Sequence, residues 1–185
     1  MDVGEGQVME KLAIMTGEIT GHGDIAQALA EADLGDKLFF ASGVSNSQET
    51  RESEYQREKD LLLAQDRTRH VVYFGSLSIF YADGRYQQHK KEMEQLVRDN
   101  FPHYSIIRIG NITWGDNPHT IINFFKEKIQ SGEPFEVRDD YRYIVTKQDF
   151  LDCVNSLPDT NVEKNLMGER VKVATIVKRI KEGQL

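Results

Sequence analysis

Short apolar runs rich in β-branched and aromatic residues alternate along this chain with amphipathic stretches of helical period. The runs are KLAIM (11–15), KLFFA (37–41), HVVYFG (70–75) and YSIIRI (104–109). Each is followed, directly or after a loop, by a segment whose apolar residues recur every three or four positions. None of the runs shows clear alternation of apolar and polar residues, which is the pattern of strands buried on both faces. Strands of that kind, joined by helices, build a parallel sheet covered on both sides. The expected fold class is therefore α/β. Helices are predicted over 24–32, 48–64, 85–100, 120–130, 147–157 and 174–181. Short strands are predicted over 135–137, 142–146 and 171–173.

A length of 185 residues bounds the chain at one domain, with room for a small appendage. A net charge of −7 argues against a general nucleic-acid binder, which would present a basic face. One cysteine, Cys153, makes no internal disulfide, and the five histidines are scattered, so no metal site is expected. The first eight residues, MDVGEGQV, lack the basic start and apolar core of a signal peptide. No apolar run approaches the roughly 18 residues a membrane span needs. A soluble cytoplasmic protein is the default expectation.

The chemistry is carried by GRYQQHKKEMEQLV, in which Tyr86 and Lys90 stand four residues apart. Residues at i and i+4 share a helix face. An ammonium beside a phenol stabilises the phenolate and suits it to proton transfer near neutral pH. Ser76 closes the apolar run before this helix and could hold a substrate hydroxyl or carbonyl against the phenol. A Tyr–Lys pair alone is most often plain helix surface. Here the order is strand, serine, loop, tyrosine, lysine, which is the order a unit for interconverting alcohol and ketone would have.

Six segments together resemble the short-chain dehydrogenase/reductase superfamily, closest to its extended, nucleotide-sugar epimerase/dehydratase branch. TGEITGHG is similar to the T-G-x-x-x-G-x-G loop at Thr16, Gly17, Gly21 and Gly23, FASG to a strand end beside the cofactor, and VVYFGSLSIF to the serine segment. YQQHK resembles Y-x-x-x-K, RIGNITWG resembles R-x-x-N-x-x-G (Arg108, Asn111, Gly115), and RYIVTKQDF resembles R-x-Y-I-x-V-x-D-h from Arg142 to Asp149. The resemblance implies a Rossmann-like core over 9–130 and a small substrate-side portion over 131–185. It implies NAD or NADP against Thr16, Gly17, Gly21, Gly23, Ala41, Ser42 and Gly43. It implies a catalytic set of Ser76, Tyr86 and Lys90, with Ser78 the less favoured serine. Asn111 and Arg142 would contact the diphosphate of a nucleotide-sugar substrate. It also implies a homodimer through helices 48–64 and 85–100.

Three departures accompany the resemblance. Between Ala32 and Lys37 there is no room for two further strands and their helices, and no Asp or Glu falls about 20 residues past the glycines to hold an adenine ribose. KLFFA is then either the second strand of the fold or the fourth, and the nearness of the serine strand favours the fourth. The asparagine that often completes the catalytic set falls, by counting, on Glu54. Ser76 and Tyr86 are only ten positions apart, so the site is expected to be open, or closed by another subunit. Two functions follow as expectations: an NAD(P)-dependent nucleotide-sugar epimerase, dehydratase or reductase, or a degenerate member that binds a nucleotide-sugar or partner enzyme without turnover. An unrelated α/β binding domain is the third possibility.

Overall fold

The computed structural model describes residues 17–185. The expected strand at 11–15, and Thr16, lie outside them. The elements run β1 (Glu18–Thr20), α1 (Asp24–Leu29), β2 (Leu38–Phe40), α2 (Glu52–Leu63), β3 (Val71–Ser76), α3 (Arg85–Asn100), β4 (Tyr104–Ile109), β5 (Asn111–Ile112), α4 (Ile121–Ser131), β6 (Tyr141–Val145), α5 (Lys147–Asn155), β7 (Val162–Leu166), β8 (Glu169–Lys172) and α6 (Val173–Lys181). A 3-10 turn, Leu77–Phe80, separates β3 from α3.

Five strands form one sheet in the order β1-β2-β3-β4-β7, and every pairing in it is parallel. This is the doubly covered sheet that the apolar runs require. Phe39, Val72, Phe74 and Ile107 point to one face, beneath Leu29 of α1 and Phe150 and Val154 of α5. Leu38, Phe40, Val71, Tyr73 and Ile106 point to the other, against Leu62 of α2 and Met93 and Val97 of α3. Neighbouring residues of one strand thus feed opposite cores, so no polar position was available for alternation. The whole is a Rossmann-like α/β fold.

A second sheet, β5-β6-β8, has a parallel β5–β6 pair and an antiparallel β6–β8 pair. It is backed by α4 and α6 through Ile122, Ile144, Val171 and Ile176. The chain crosses between the sheets on both sides of residue 130: β5 precedes it, and β7 returns to the first sheet after it.

Two expectations are corrected. The glycine turn expected over 17–23 is broken by a strand. Residues 18–20 pair with 38–40, so Gly17 and Gly21 stand at opposite ends of β1. A Cβ on Gly17 would lie 2.2 Å from Leu34 Cβ, because Gly17 packs under the turn after α1. The turn into α1 is only Gly21–His22–Gly23. Residues 135–137 form no strand; Phe135 instead packs its ring on Phe125, centroids 5.4 Å apart. In this sheet KLFFA sits between β1 and the serine strand, and β1 is an edge among the described residues.

Candidate active site

Ligands of open parallel sheets bind outside the carboxyl ends of the strands. Here those ends open onto a cleft of about 1190 Å³. Gly23, Ala41, Ser42 and Gly43 line it from the ends of β1 and β2, and Ser76, Tyr86 and Lys90 from β3 and α3. Asn111 and Arg142 line it from the second sheet. Tyr81, Arg57, Arg138, His22 and His119 add to its wall. Gly21 stands behind the rim. Its φ is 129°, and a Cβ would lie 2.4 Å from the Ala41 carbonyl oxygen, so glycine lets β1 and β2 leave the sheet in contact.

Ser76 caps the 3-10 turn, its Oγ accepting from Ser78 N at 3.2 Å and donating to Ser78 Oγ at 2.9 Å. Gln87 extends the chain, donating from Nε2 to Ser78 Oγ at 3.2 Å, while its Oε1 accepts from Gly84 N at 3.0 Å. Both serines therefore face the cleft on one hydrogen-bonded thread with α3. The pairing of Tyr86 and Lys90 follows from the helix: Lys90 Nζ lies 5.6 Å from the Tyr86 ring centroid. It also lies 5.7 Å from the Tyr73 centroid, so the ammonium is within reach of two phenol rings.

Lys90 is 3% exposed, and its charge is met by Glu58 of α2, which is fully buried. Lys90 Nζ donates to Glu58 Oε1 at 3.0 Å and Oε2 at 3.3 Å. Oε2 also accepts from Val44 N at 2.7 Å and from His89 Nε2 at 2.8 Å, and Oε1 from Tyr73 OH at 3.1 Å. Burial works to raise the Glu58 carboxyl, but the Lys90 ammonium and the His89 and Val44 donors overcome it and bring it to about 2. Burial and then the Glu58 charge push Tyr73 well above the usual phenol range, so it stays a donor. An ionised Glu58 fixes the proton of His89 on Nε2. Nδ1 then has no partner among the described residues.

The carboxylate that reaches the interior lies one helical turn beyond Glu54, the position on which the family asparagine falls by counting. Glu54 pairs with Arg57 at the surface, Nε to Oε2 3.1 Å, and Glu58 takes the interior position. Arg57 in turn reaches the Ser42 carbonyl at 3.4 Å.

Of the other resembling positions, Asn111 donates from Nδ2 to the Tyr143 carbonyl at 3.0 Å, and Arg142 pairs with Asp140 and the Tyr141 carbonyl at the cleft rim. Arg108 serves the fold instead. It binds Glu94 at 2.8 and 2.6 Å and Glu163 at 2.6 Å, tying β4 to α3 and β7. Asp149 closes a capping box with Thr146 at the start of α5, their side chains 2.7 Å apart. Gly115, at φ 86°, seats its loop on Asp24, whose carboxylate accepts from Asp116 N and Asn117 N, both at 3.1 Å. Among the described residues no three His, Cys, Asp or Glu side chains gather as a metal site, and no helix is long and apolar enough to cross a membrane.

The cleft wall at Gly23 and at Ala41–Gly43 presents mostly backbone, which fits a group that needs close main-chain approach, such as the diphosphate of a dinucleotide. A Cβ on Gly23 would meet nothing within 4 Å, so its backbone is open to the cleft. Gly43 could not carry a Cβ without coming within 2.9 Å of Lys90 Nζ. The adenosine side has no strand beyond β1 among the described residues.

No protein-family model and no curated protein matches this sequence. Its fold, however, is that of known structures. The Bordetella bronchiseptica enzyme WbmG, in complex with NAD, aligns with a TM-score of 0.62 at 14% identity, over 95% of this chain and 80% of its own. WbmH from the same organism, in complex with NAD+, gives 0.63 at 14% identity, over 91% and 81%. The UDP-glucose 4-epimerase of Thermotoga maritima, with UDP-glucose, gives 0.61 at 14% identity, over 87% of this chain and 65% of its own. At these identities the likeness is one of fold, and this chain spans about two thirds of the epimerase.

Proposed function

We propose that this protein binds a nucleotide-sugar in the cleft between its two sheets and moves a proton there during an NAD(P)-linked interconversion of a sugar hydroxyl and a carbonyl. The observation that carries the reading is that Ser76, Tyr86 and Lys90 line one cleft whose other wall holds Asn111 and Arg142. NAD or NADP, when bound against Gly23 and Ala41–Gly43, supplies or accepts the hydride. Tyr86 takes the proton from the hydroxyl oxygen as it becomes a carbonyl and returns it in the reverse direction. Ser76 and Ser78 hold that oxygen by their hydroxyls. Lys90 stabilises the charge that arises on the phenol. Arg142, a planar fork at the rim, suits the paired oxygens of a diphosphate, with Asn111 beside it. The substrate side is then the second sheet and residues 131–185, and the cofactor side the first.

Calorimetric titration with NAD, NADP and UDP-sugars, followed by absorbance at the reduced nicotinamide, tests this. Tyr86→Phe should lower turnover by about 10²–10⁴-fold with the melting temperature unchanged. Retention of wild-type turnover by that variant removes Tyr86 from the reaction.

A second reading is binding without turnover. It is supported by the edge position of β1 among the described residues and by Gly17 standing outside the turn. It predicts nucleotide-sugar affinity with no dinucleotide binding at millimolar concentration.

A further inference from the structure

We propose that Glu58 is a positioning residue of this site: it holds Lys90 as a buried ammonium beside Tyr86 at the wall of the cleft. The inference rests on the reading of Tyr86 and Lys90 given above, and it adds a group on a different helix that the Tyr–Lys spacing does not reveal.

Lysine almost never enters an interior unless its charge is matched. Lys90 has done so at 3% exposure, and both carboxylate oxygens of Glu58 accept from its Nζ, at 3.0 and 3.3 Å. The carboxylate is itself held from four sides, by Val44 N, His89, Tyr73 and Lys90, so it has little freedom to leave. The backbone of Gly43 closes over the pair, since a Cβ there would lie 2.9 Å from Lys90 Nζ and 3.0 Å from Glu58 Oε1. Lys90 Nζ thus stands 5.7 Å from the ring of the buried Tyr73 and 5.6 Å from the ring of Tyr86, and Lys90 and Tyr86 both line the cleft. The other groups facing the pair are Tyr55 from α2, Tyr73 from β3, and Tyr86 and His89 from α3, with Arg85 over the Tyr55 ring at 4.5 Å. The segment after β2 contributes backbone alone. Burial works to lower the Lys90 ammonium, and the Glu58 charge and hydrogen bond, together with the Tyr86 and Tyr55 phenols, raise it overall. With the Glu58 charge removed, burial loses its main opponent, and a buried lysine shifts towards the neutral amine.

The test follows the Lys90 ammonium directly. Lysine Cε resonances are titrated by NMR, with Lys90 assigned by its absence in Lys90→Met. In Glu58→Gln the Lys90 midpoint should fall by at least about two pH units from the wild type. An unchanged midpoint overturns the proposal. Should Glu58→Gln fail to fold, the double variant Glu58→Gln/Lys90→Met, which carries neither charge, should fold again. Its failure to do so would show that Glu58 acts on something other than Lys90.

With turnover in hand, Glu58→Gln should also displace the pH–rate profile and cut kcat by about tenfold or more, leaving the nucleotide-sugar Kd unchanged. A profile that keeps its shape overturns the positioning role. The two claims separate cleanly. A shifted midpoint without turnover on any sugar nucleotide retains the Glu58–Lys90 pairing and removes the enzyme reading. Turnover that needs Tyr86 with an unshifted midpoint does the reverse.

Discussion

Glu58 ties the stability of the fold to pH. Its folded value of about 2 lies below the ordinary 4.5, so the unfolded chain binds this proton more readily than the folded one. The stability it contributes is complete above about pH 4.5 and is lost as pH falls towards 2, on the order of 3 kcal/mol across that window. An acid titration followed by circular dichroism should show the loss, and it should vanish in a variant lacking both Glu58 and Lys90. At the rim, Arg142→Ala should weaken a UDP-sugar by about tenfold in Kd while leaving the melting temperature unmoved. Calorimetry on the two proteins decides it. The Tyr86–Lys90 pair was legible because helix period alone brings i and i+4 together. Glu58 was not, because its contact to Lys90 spans 32 positions and depends on how α2 lies on α3. A charged residue among EYQREKDLL reads as surface until the packing is known.

The elements most exposed to substitution are the segments that leave the sheet. Gly43→Ala would drive a Cβ between Lys90 and Glu58, and a well-packed site accommodates such an atom at a cost of about 1–3 kcal/mol. The expected result is a lowered melting temperature together with loss of turnover. Asp24 holds the loop 115–117 to the start of α1 by two backbone N–H donors. Asp24→Ala should raise amide exchange at 116 and 117 and cost about 1–3 kcal/mol; unchanged exchange would remove that latch. The buried strands were readable in sequence because apolar content survives in any register. β7 was not: VEKNL lies at a sheet edge, and Glu163 turns out to pair with Arg98 and Arg108. Its polar pattern records those partners rather than a core. β5 was hidden by its length of two residues. The glycine turn was misread because TGEITGHG offers three glycines, and spacing does not say which of them lie past the strand.

At the scale of the molecule, the resemblance implied a dimer through α2 and α3. The outward positions of these helices are Ser53, Gln56 and Asp60, and Gln88, Lys91 and Gln95, all exposed. A bundle built on that surface would have to bury amides and charges without an apolar seam, so light scattering should report a monomer. Dinucleotide affinity is likewise a property of the whole sheet. With β1 at the edge among the described residues, NAD should bind more weakly than a nucleotide-sugar, and a competition titration orders the two.

The route of the chain carries a further consequence. It leaves the first sheet after β4, returns for β7 and departs again for β8. The two walls of the cleft are sewn together by three passes of backbone. An exchange of residues 131–185 with another protein, intended to give a new sugar preference, would tear out a border strand of the opposite wall and the Glu163 anchor with it. New specificity must therefore be sought side chain by side chain, not by shuffling halves.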